Sequence, residues 1–303
     1  MLGQLRKLSD NQKYDPWEIK QNIEEVWVIT HCCRYWMLSE WECENMSFPF
    51  WRLYHSSTGG SYVEFDDIEF HLSNETLILI PPNTSFNTHI KKNRYSKQES
   101  IVGQKLKNEE DILFLQNKGL CDQLFIHFNL GYPFDSIKPA IYEIKVNDYC
   151  FDLIREIKSK MLITPNDISI QSNIKIKSLI LFGLQNIPDN LWKFPTIDKR
   201  ILKIIKYIDK NISKDLSNND LSNVSNLATN SFARLFRESI HCSVQKYIQR
   251  RRIEHAIMLL HHTNMQIEDI ALECGFYDRH HFSKIFKTQT GIPPVKYRLK
   301  IGM

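Results

Sequence analysis

The spacing of apolar residues divides the chain into a strand-like first half and a helical second half. From Ile23 onward, short apolar segments recur: Val26–Ile29, Phe50–His55, Tyr62–Phe65, Leu77–Ile80 and Leu124–Asn129. Turn chemistry separates them, at Ser57-Thr58-Gly59-Gly60, Ser73-Asn74-Glu75 and Pro81-Pro82-Asn83. Many short strands with such punctuation predict a β-sandwich or a small barrel. Residues 1–22 are polar and carry no periodic signal beyond a turn at Asp15-Pro16-Trp17, so they read as an N-terminal extension. Lys91–Asp122 is long, charged and weakly periodic, and reads as an excursion from the sheet. Within it, Lys107–Leu115 fits either a short helix or an extra strand.

After Val146 the period changes from two to about 3.6. Phe151, Ile154, Ile157 and Met161 keep helical spacing, and Thr164-Pro165-Asn166-Asp167 breaks that helix. Ile174, Ile176, Leu179, Ile180, Phe182 and Leu184 mark a second helix whose apolar surface is wider than one face. Two arrangements fit that width: packing within its own domain, or packing on a sheet and on a second subunit. Ile187-Pro188-Asp189 to Pro195 lacks periodicity and reads as a linker.

Helical spacing then continues to the end. Ile201, Ile204, Ile205 and Ile208 define one helix, and Leu216–Val224 a second with Ser217 as its N-cap. Asn226-Leu227-Ala228 forms a turn before Thr229–Glu238. Ser243 caps a long helix, Val244–His262, and Ile267–Cys274 and Arg279–Gln289 follow. Gly275 stands where a helix end takes the left-handed conformation. In the last pair, Phe282, Ile285 and Phe286 form one apolar stripe, while Arg279, His280, Ser283, Lys284 and Lys287 point away from it. Shifted back by about 50 positions the pattern repeats, with Phe232, Arg234, Leu235, Phe236 and Arg237 in the same register and Lys246-Tyr247 matching Lys296-Tyr297. This is an internal duplication. A helix held by one face and offering long donors on the other suits a DNA major groove.

Charge sharpens that reading. From Lys199 onward there are 18 Lys and Arg against 9 Asp and Glu, a net of +9, whereas residues 1–198 carry 21 against 26, a net of −5. A basic segment on an acidic body points to a polyanion partner for that segment alone. Seven cysteines occur without a Cys-x-x-Cys, and Cys32-Cys33 are adjacent, which fits a reduced interior. Met1–Lys20 has no apolar signal core, and no apolar run is long enough to span a bilayer, so a cytoplasmic protein with no membrane partner is expected.

Gly275-Phe276, Asp278, His281-Phe282-Ser283-Lys284, Phe286-Lys287, Gly291, Pro294 and Tyr297-Arg298 resemble the second half of the AraC/XylS transcription regulator signature. Arg252-Ile253-Glu254, Ala256 and Leu259-Leu260 are similar to its linker helix. The resemblance covers Ile201–Lys300 and implies an all-α domain of two helix-turn-helix units joined by that helix. Recognition helices of such units enter successive major grooves on double-stranded DNA. It places base-reading positions at Asn230, Ala233 and Arg234, with Arg237 beside them, and at Arg279, His280, Ser283 and Lys284, with Lys287. Arg234 reads either as a base contact or as a phosphate clamp, and Lys284 as either. Asn226 replaces a usual glycine, His241 replaces the glycine equivalent to Gly291, and Val244 replaces a proline. Arg252 is expected to make an internal pair, either in the neighbourhood of Glu254 or with an acidic residue such as Asp269.

Upstream, Leu77–Asn83 and Phe125–Phe128 resemble the cupin-type effector domain of many members. The implied α+β architecture is an N-terminal extension over 1–22, a cupin-like β-barrel over 23–147, helices for dimerisation over 148–187, a linker over 188–198 and the DNA-binding domain over 199–303. Its implied partners are DNA, a second copy of the chain, a small polar effector such as a sugar, and RNA polymerase. Trp51, Arg52, His89 and His127 are the candidate effector residues. His55, His71, His89 and His127 match no compact ligand spacing, so no metal and no cofactor is assigned. No Ser/His/Asp elbow, phosphate loop or His-Glu-x-x-His occurs, so no enzymatic activity is expected. Two rival readings stay open: a regulator without a small-molecule effector, and a metal-dependent cupin enzyme fused to a DNA-binding domain.

Overall fold

The computed structural model describes residues 26–90, 100–106, 117, 119–164, 168–192, 194 and 197–300. The readings of residues 1–22 and of Lys107–Leu115 lie outside them. Among the described residues nine strands come first: β1 Ile29–Met46, β2 Trp51–His55, β3 Ser61–Phe65, β4 Ile68–Leu72, β5 Thr76–Ile80, β6 Phe86–Ile90, β7 Ser100–Lys105, β8 Cys121–Asn129 and β9 Tyr142–Lys145. Their order is β4-β3-β6-β1-β8-β2-β5-β9, with β7 also pairing β1. All these pairings are antiparallel.

β1 is the organiser. Its first part, Ile29–Leu38, pairs with β8, and its end, Cys43–Met46, pairs with β6. One bent strand thereby joins two curved sheets into a nearly closed barrel. Short strands were legible in the sequence, but this long one was not. Register breaks at Thr30/Cys32, Leu38/Glu40 and Cys43/Met46 interrupt its alternation, as bulges do. The stretch read as an excursion likewise contains β7.

Side-chain alternation sorts the apolar residues into two cores. In β5, Leu77 and Leu79 face one side, and Ile78 and Ile80 the other. The first side, with Trp51, Leu53, Leu124, Ile126 and Phe128, is covered by α1 (Asp148–Ile163) and α2 (Ile170–Leu184). The second is the barrel interior, with Leu38, Trp41, Tyr54, Val63 and Phe86. β5 is buried on both faces, which is why it reads as an unbroken apolar run. α1 is pinned to the barrel by a buried ion pair, Lys158 Nζ to Asp122 Oδ2 at 2.6 Å. The Asp122 carboxylate also accepts from the backbone N–H groups of Ser57 and Thr58, at 2.7 Å each. Phe151, although it keeps the helical spacing of Ile154, Ile157 and Met161, is 45% exposed, whereas Leu153 and Lys158 are buried.

Beyond it lie α3 Lys199–Lys210, α4 Asn218–Ser225, α5 Thr229–Ile240, α6 Val244–His262, α7 Ile267–Glu273, α8 Arg279–Thr290 and α9 Pro294–Lys300. They enclose two further cores. Val244, Tyr247 and Ile248 of α6 join the first with α3, α4 and α5; Ile253, Ala256, Leu259 and Leu260 join the second with α7 and α8. One helix thus serves both units.

Candidate nucleic-acid interface

Each unit of the helical region presents one helix outward, α5 and α8, and local chemistry sets both. Ser217 caps α4 with a capping box to Asp220. Asn226 ends it in the left-handed conformation at φ 56°, and the Leu227 N–H reaches back to the Ser222 carbonyl. Phe276 N–H reaches Ala271 in the same way after Gly275. Asn226 therefore supplies the turn that glycine supplies in the second unit. Asp278 caps α8 by accepting from His281 N–H at 2.7 Å, and that hydrogen bond holds its carboxyl below the usual range.

The duplication read from the sequence is present in three dimensions. Phe232, Phe236, Phe282 and Phe286 are all fully buried. Phe232 and Phe236 ring centroids lie 5.9 Å apart, and those of Phe282 and Phe286 5.5 Å. Tyr247 packs on Phe236 at 5.6 Å, and Tyr297 on Phe286 at 5.4 Å. His241 and Gly291 both close their helices in the left-handed conformation.

On the outward faces, Asn230, Arg234 and Arg237 of α5 are exposed and Ala233 is half-buried. In α8, Arg279, His280, Lys284 and Lys287 are exposed and Ser283 is half-buried. Among the described residues Arg234 is held only by an exposed pair with Glu238 at 3.9 Å, worth little in water, so its guanidinium is available to a ligand. Tyr277, beside the cap of α8, is 91% exposed. Sequence reading passed over it because it lies outside the periodic stripe.

Behind these faces, α6 is anchored by ion pairs and carbonyl contacts. Arg251, rather than Arg252, carries the ion pairs, to Asp209 at 2.9 Å and Glu254 at 2.6 Å. Arg252 donates instead to the Ile212 and Lys214 carbonyls at 3.1 and 2.6 Å. It satisfies the end of the first unit, not an acid.

The four candidate effector residues do not form one cluster. Arg52 and His127 are cross-strand partners on the inward face. Trp51 points the other way, stacked on Phe128 with its indole N–H donating to Asp135 at 3.0 Å. His89 stacks on Tyr62 and pairs with Glu69 at 3.0 Å. Arg52 is 2% exposed and its guanidinium lies 3.6 Å above the Phe48 ring. Its Nη1 donates to Tyr54 at 3.0 Å, while Nε and Nη2 have no partner. Burial pulls its pKa down, Tyr54 opposing.

The barrel touches the helical region here. Phe48 and Phe50 pack against Ile257 and Tyr297, and His261 lies 5.1 Å from Phe48. Alongside is a cleft of about 250 Å³ lined by residues including His31, Asn129, Arg251 and Met258. Among the described residues no helix is long and apolar enough to cross a membrane.

A family model for a helix-turn-helix domain matches residues 221–300. The HTH-type transcriptional activator AarP of Providencia stuartii is 37% identical over 99 residues, covering 33% of this chain and 73% of that protein. The HTH-type transcriptional regulator YbfP of Bacillus subtilis is 35% identical over 101 residues, 33% of this chain and 34% of its own length. This chain therefore spans about a third of that relative. An HTH-type transcriptional regulator of Haemophilus influenzae is 21% identical over 255 residues, 81% of this chain and 85% of its own.

Proposed function

The chain belongs to the AraC-type family of helix-turn-helix transcription regulators, and from that premise we propose that it is a sequence-specific regulator that reads DNA through α5 and α8. The observation that carries this is the duplicated helix: two buried phenylalanine pairs turn two sets of cationic and amide side chains outward. Arg234 and Arg279 are the proposed guanine readers, since guanidinium meets guanine O6 and N7 in a bidentate pair. Asn230 and Ser283 supply shorter polar contacts, Ala233 a methyl contact, and Arg237, His280, Lys284 and Lys287 base or phosphate contacts. Residues 199–303 are assigned to this role, joined by a linker over 188–198 to an effector-binding unit over 23–147.

The effector reading rests on Arg52. A buried guanidinium with two unpartnered nitrogens, Nε and Nη2, is costly, and a ligand with hydroxyl or carboxylate oxygens would satisfy it. His127 lies beside it on the same face. Such a ligand would favour one placement of the barrel against α6 and shift how two chains address paired sites. Self-association is assigned to residues 148–187, because Ile170, Ile174 and Leu181 of α2 are 81%, 58% and 50% exposed on the side away from the barrel core.

Genomic footprinting of the bound chain tests the proposal. It predicts discrete sites with paired half-sites upstream of regulated genes, with occupancy that responds to a polar metabolite. Uniform, sequence-independent protection contradicts it, and occupancy indifferent to Arg52→Met rejects the effector reading alone.

A further inference from the structure

The junction between the barrel and α6 collects donor groups that DNA reading does not use. Cys32 lies on β1, His127 opposite it on β8, and His262 is the last residue of α6. The Cys32 Sγ and one ring nitrogen from each histidine all lie within 4.8 Å of one another. Both ring nitrogens of His127 and both of His262 are buried without a hydrogen-bond partner. His127 is only 6% exposed. Buried imidazoles almost always find partners, so one unmet nitrogen from each ring, beside a thiol, calls for one common partner.

We propose that Cys32, His127 and His262 bind one thiophilic closed-shell metal ion, of the Zn(II) or Cu(I) class, and that this ion clamps the end of α6 to the barrel. One sulfur and two imidazoles form a soft-to-borderline donor set that suits these ions and not Mg²⁺ or Ca²⁺. Metal–ligand bonds of about 2.0–2.3 Å in a tetrahedral site require donor separations of roughly 3.3–3.8 Å. The three donors already lie within 4.8 Å of one another, so one ion can bridge them and tie the end of α6 to β1 and β8. The fourth position is left to water or an outside ligand. Burial keeps His262 and His127 in the neutral form that ligates. Coordination removes the Cys32 proton to solvent, one per ion bound, and the resulting thiolate offsets the nearby guanidiniums of Arg34 and Arg52. The sequence hid this site because its ligands come from three distant segments. Since α6 joins both units, the ion fixes the reading helices relative to the barrel.

The test is calorimetric titration of the full-length chain, stripped with a chelator and kept reduced, with Zn(II), with Cu(I) and with Mg²⁺. One ion of the first or second kind binds per chain with release of one proton, and Mg²⁺ does not bind. Co(II) as a spectroscopic stand-in gives a thiolate charge-transfer band. Cys32→Ser abolishes that band, and both Cys32→Ser and His262→Gln weaken binding by more than the roughly 10–100-fold typical of losing an outer-shell partner. His71→Gln, on β4 and outside the cluster, binds as the parent does. Ion-free melting curves of both ligand variants match the ion-free parent and separate lost ligation from lost folding. Stoichiometry below one ion per chain, or parental affinity in either ligand variant, overturns the proposal.

Discussion

Arg252 lies across the turn at Gly275 so closely that a Cβ there would sit 2.8 Å from its Nη2 and 2.7 Å from the Ile212 carbonyl oxygen. Gly275 also holds φ at +77°. The turn of the second unit and the exit of the first therefore share one space, which only glycine leaves free. Gly291, at φ +83°, has nothing within 4 Å of such a Cβ. Gly291→Ala is expected to cost about 1–2 kcal/mol for the left-handed conformation alone, and Gly275→Ala clearly more. Urea unfolding of the two variants checks this; equal losses contradict the shared space.

His241 bears the same conformational cost that glycine avoids at position 291, with φ at 61°. His241→Gly is expected to stabilise the chain by up to about 1 kcal/mol, because the relief of left-handed strain exceeds the added unfolded-state entropy. A thermal melt reads this as a rise in Tm, and no rise or a fall contradicts it.

Arg234 is 79% exposed in its side chain and, among the described residues, has only the weak Glu238 pair to lose. Arg234→Ala is expected to leave stability within about 0.5 kcal/mol, and to weaken the cognate site by about 1–3 kcal/mol while relaxing preference at one base pair. Binding measured across a salt series separates the alternative. If Arg234 only clamps phosphate, all sequences weaken alike and the salt slope falls by about 1.

The Asp122–Lys158 pair makes stability depend on acid. Burial alone would raise the Asp122 carboxyl, but the Lys158 ammonium and the Thr58 N–H outweigh it and hold the pKa at about 2. An unfolded aspartate titrates near 3.9. A folded value below the unfolded one stabilises the chain above about pH 4, and the contribution is lost as pH falls from about 4 to 2. Lys158→Met leaves a buried carboxylate unpaired and is expected to cost about 3–5 kcal/mol at pH 7. Asp122→Asn flattens stability across the acid window, and an unchanged acid slope in that variant contradicts the assignment.

The helical half was legible because its signals are local. Ser217, Ser243, Asn226 and Gly275 cap or end helices within a few residues of the stripes they bound. The two phenylalanine pairs repeat at fixed spacing, so the two outward helices followed directly. The barrel was legible only in part: β5 announced itself as an apolar run, whereas β1 hid behind its register breaks. Arg52 and His127 were chosen as polar residues on separate strands, and only pairing of β2 with β8 makes them neighbours. Trp51 went to the other face because successive strand residues alternate. The buried Asp122–Lys158 pair left no trace, since its partners lie in distant segments and look like ordinary surface charges.

The most direct measurement is methylation-interference mapping of guanine N7 on a cognate site, run with the parent chain, Arg234→Ala and Arg279→Ala. If α5 and α8 each read a major groove, the parent shows two guanine clusters centred about one helical turn, roughly 10–10.5 base pairs, apart. Arg234→Ala then erases one cluster and Arg279→Ala the other. A single cluster, or two clusters unaltered in both variants, contradicts reading by the paired helices.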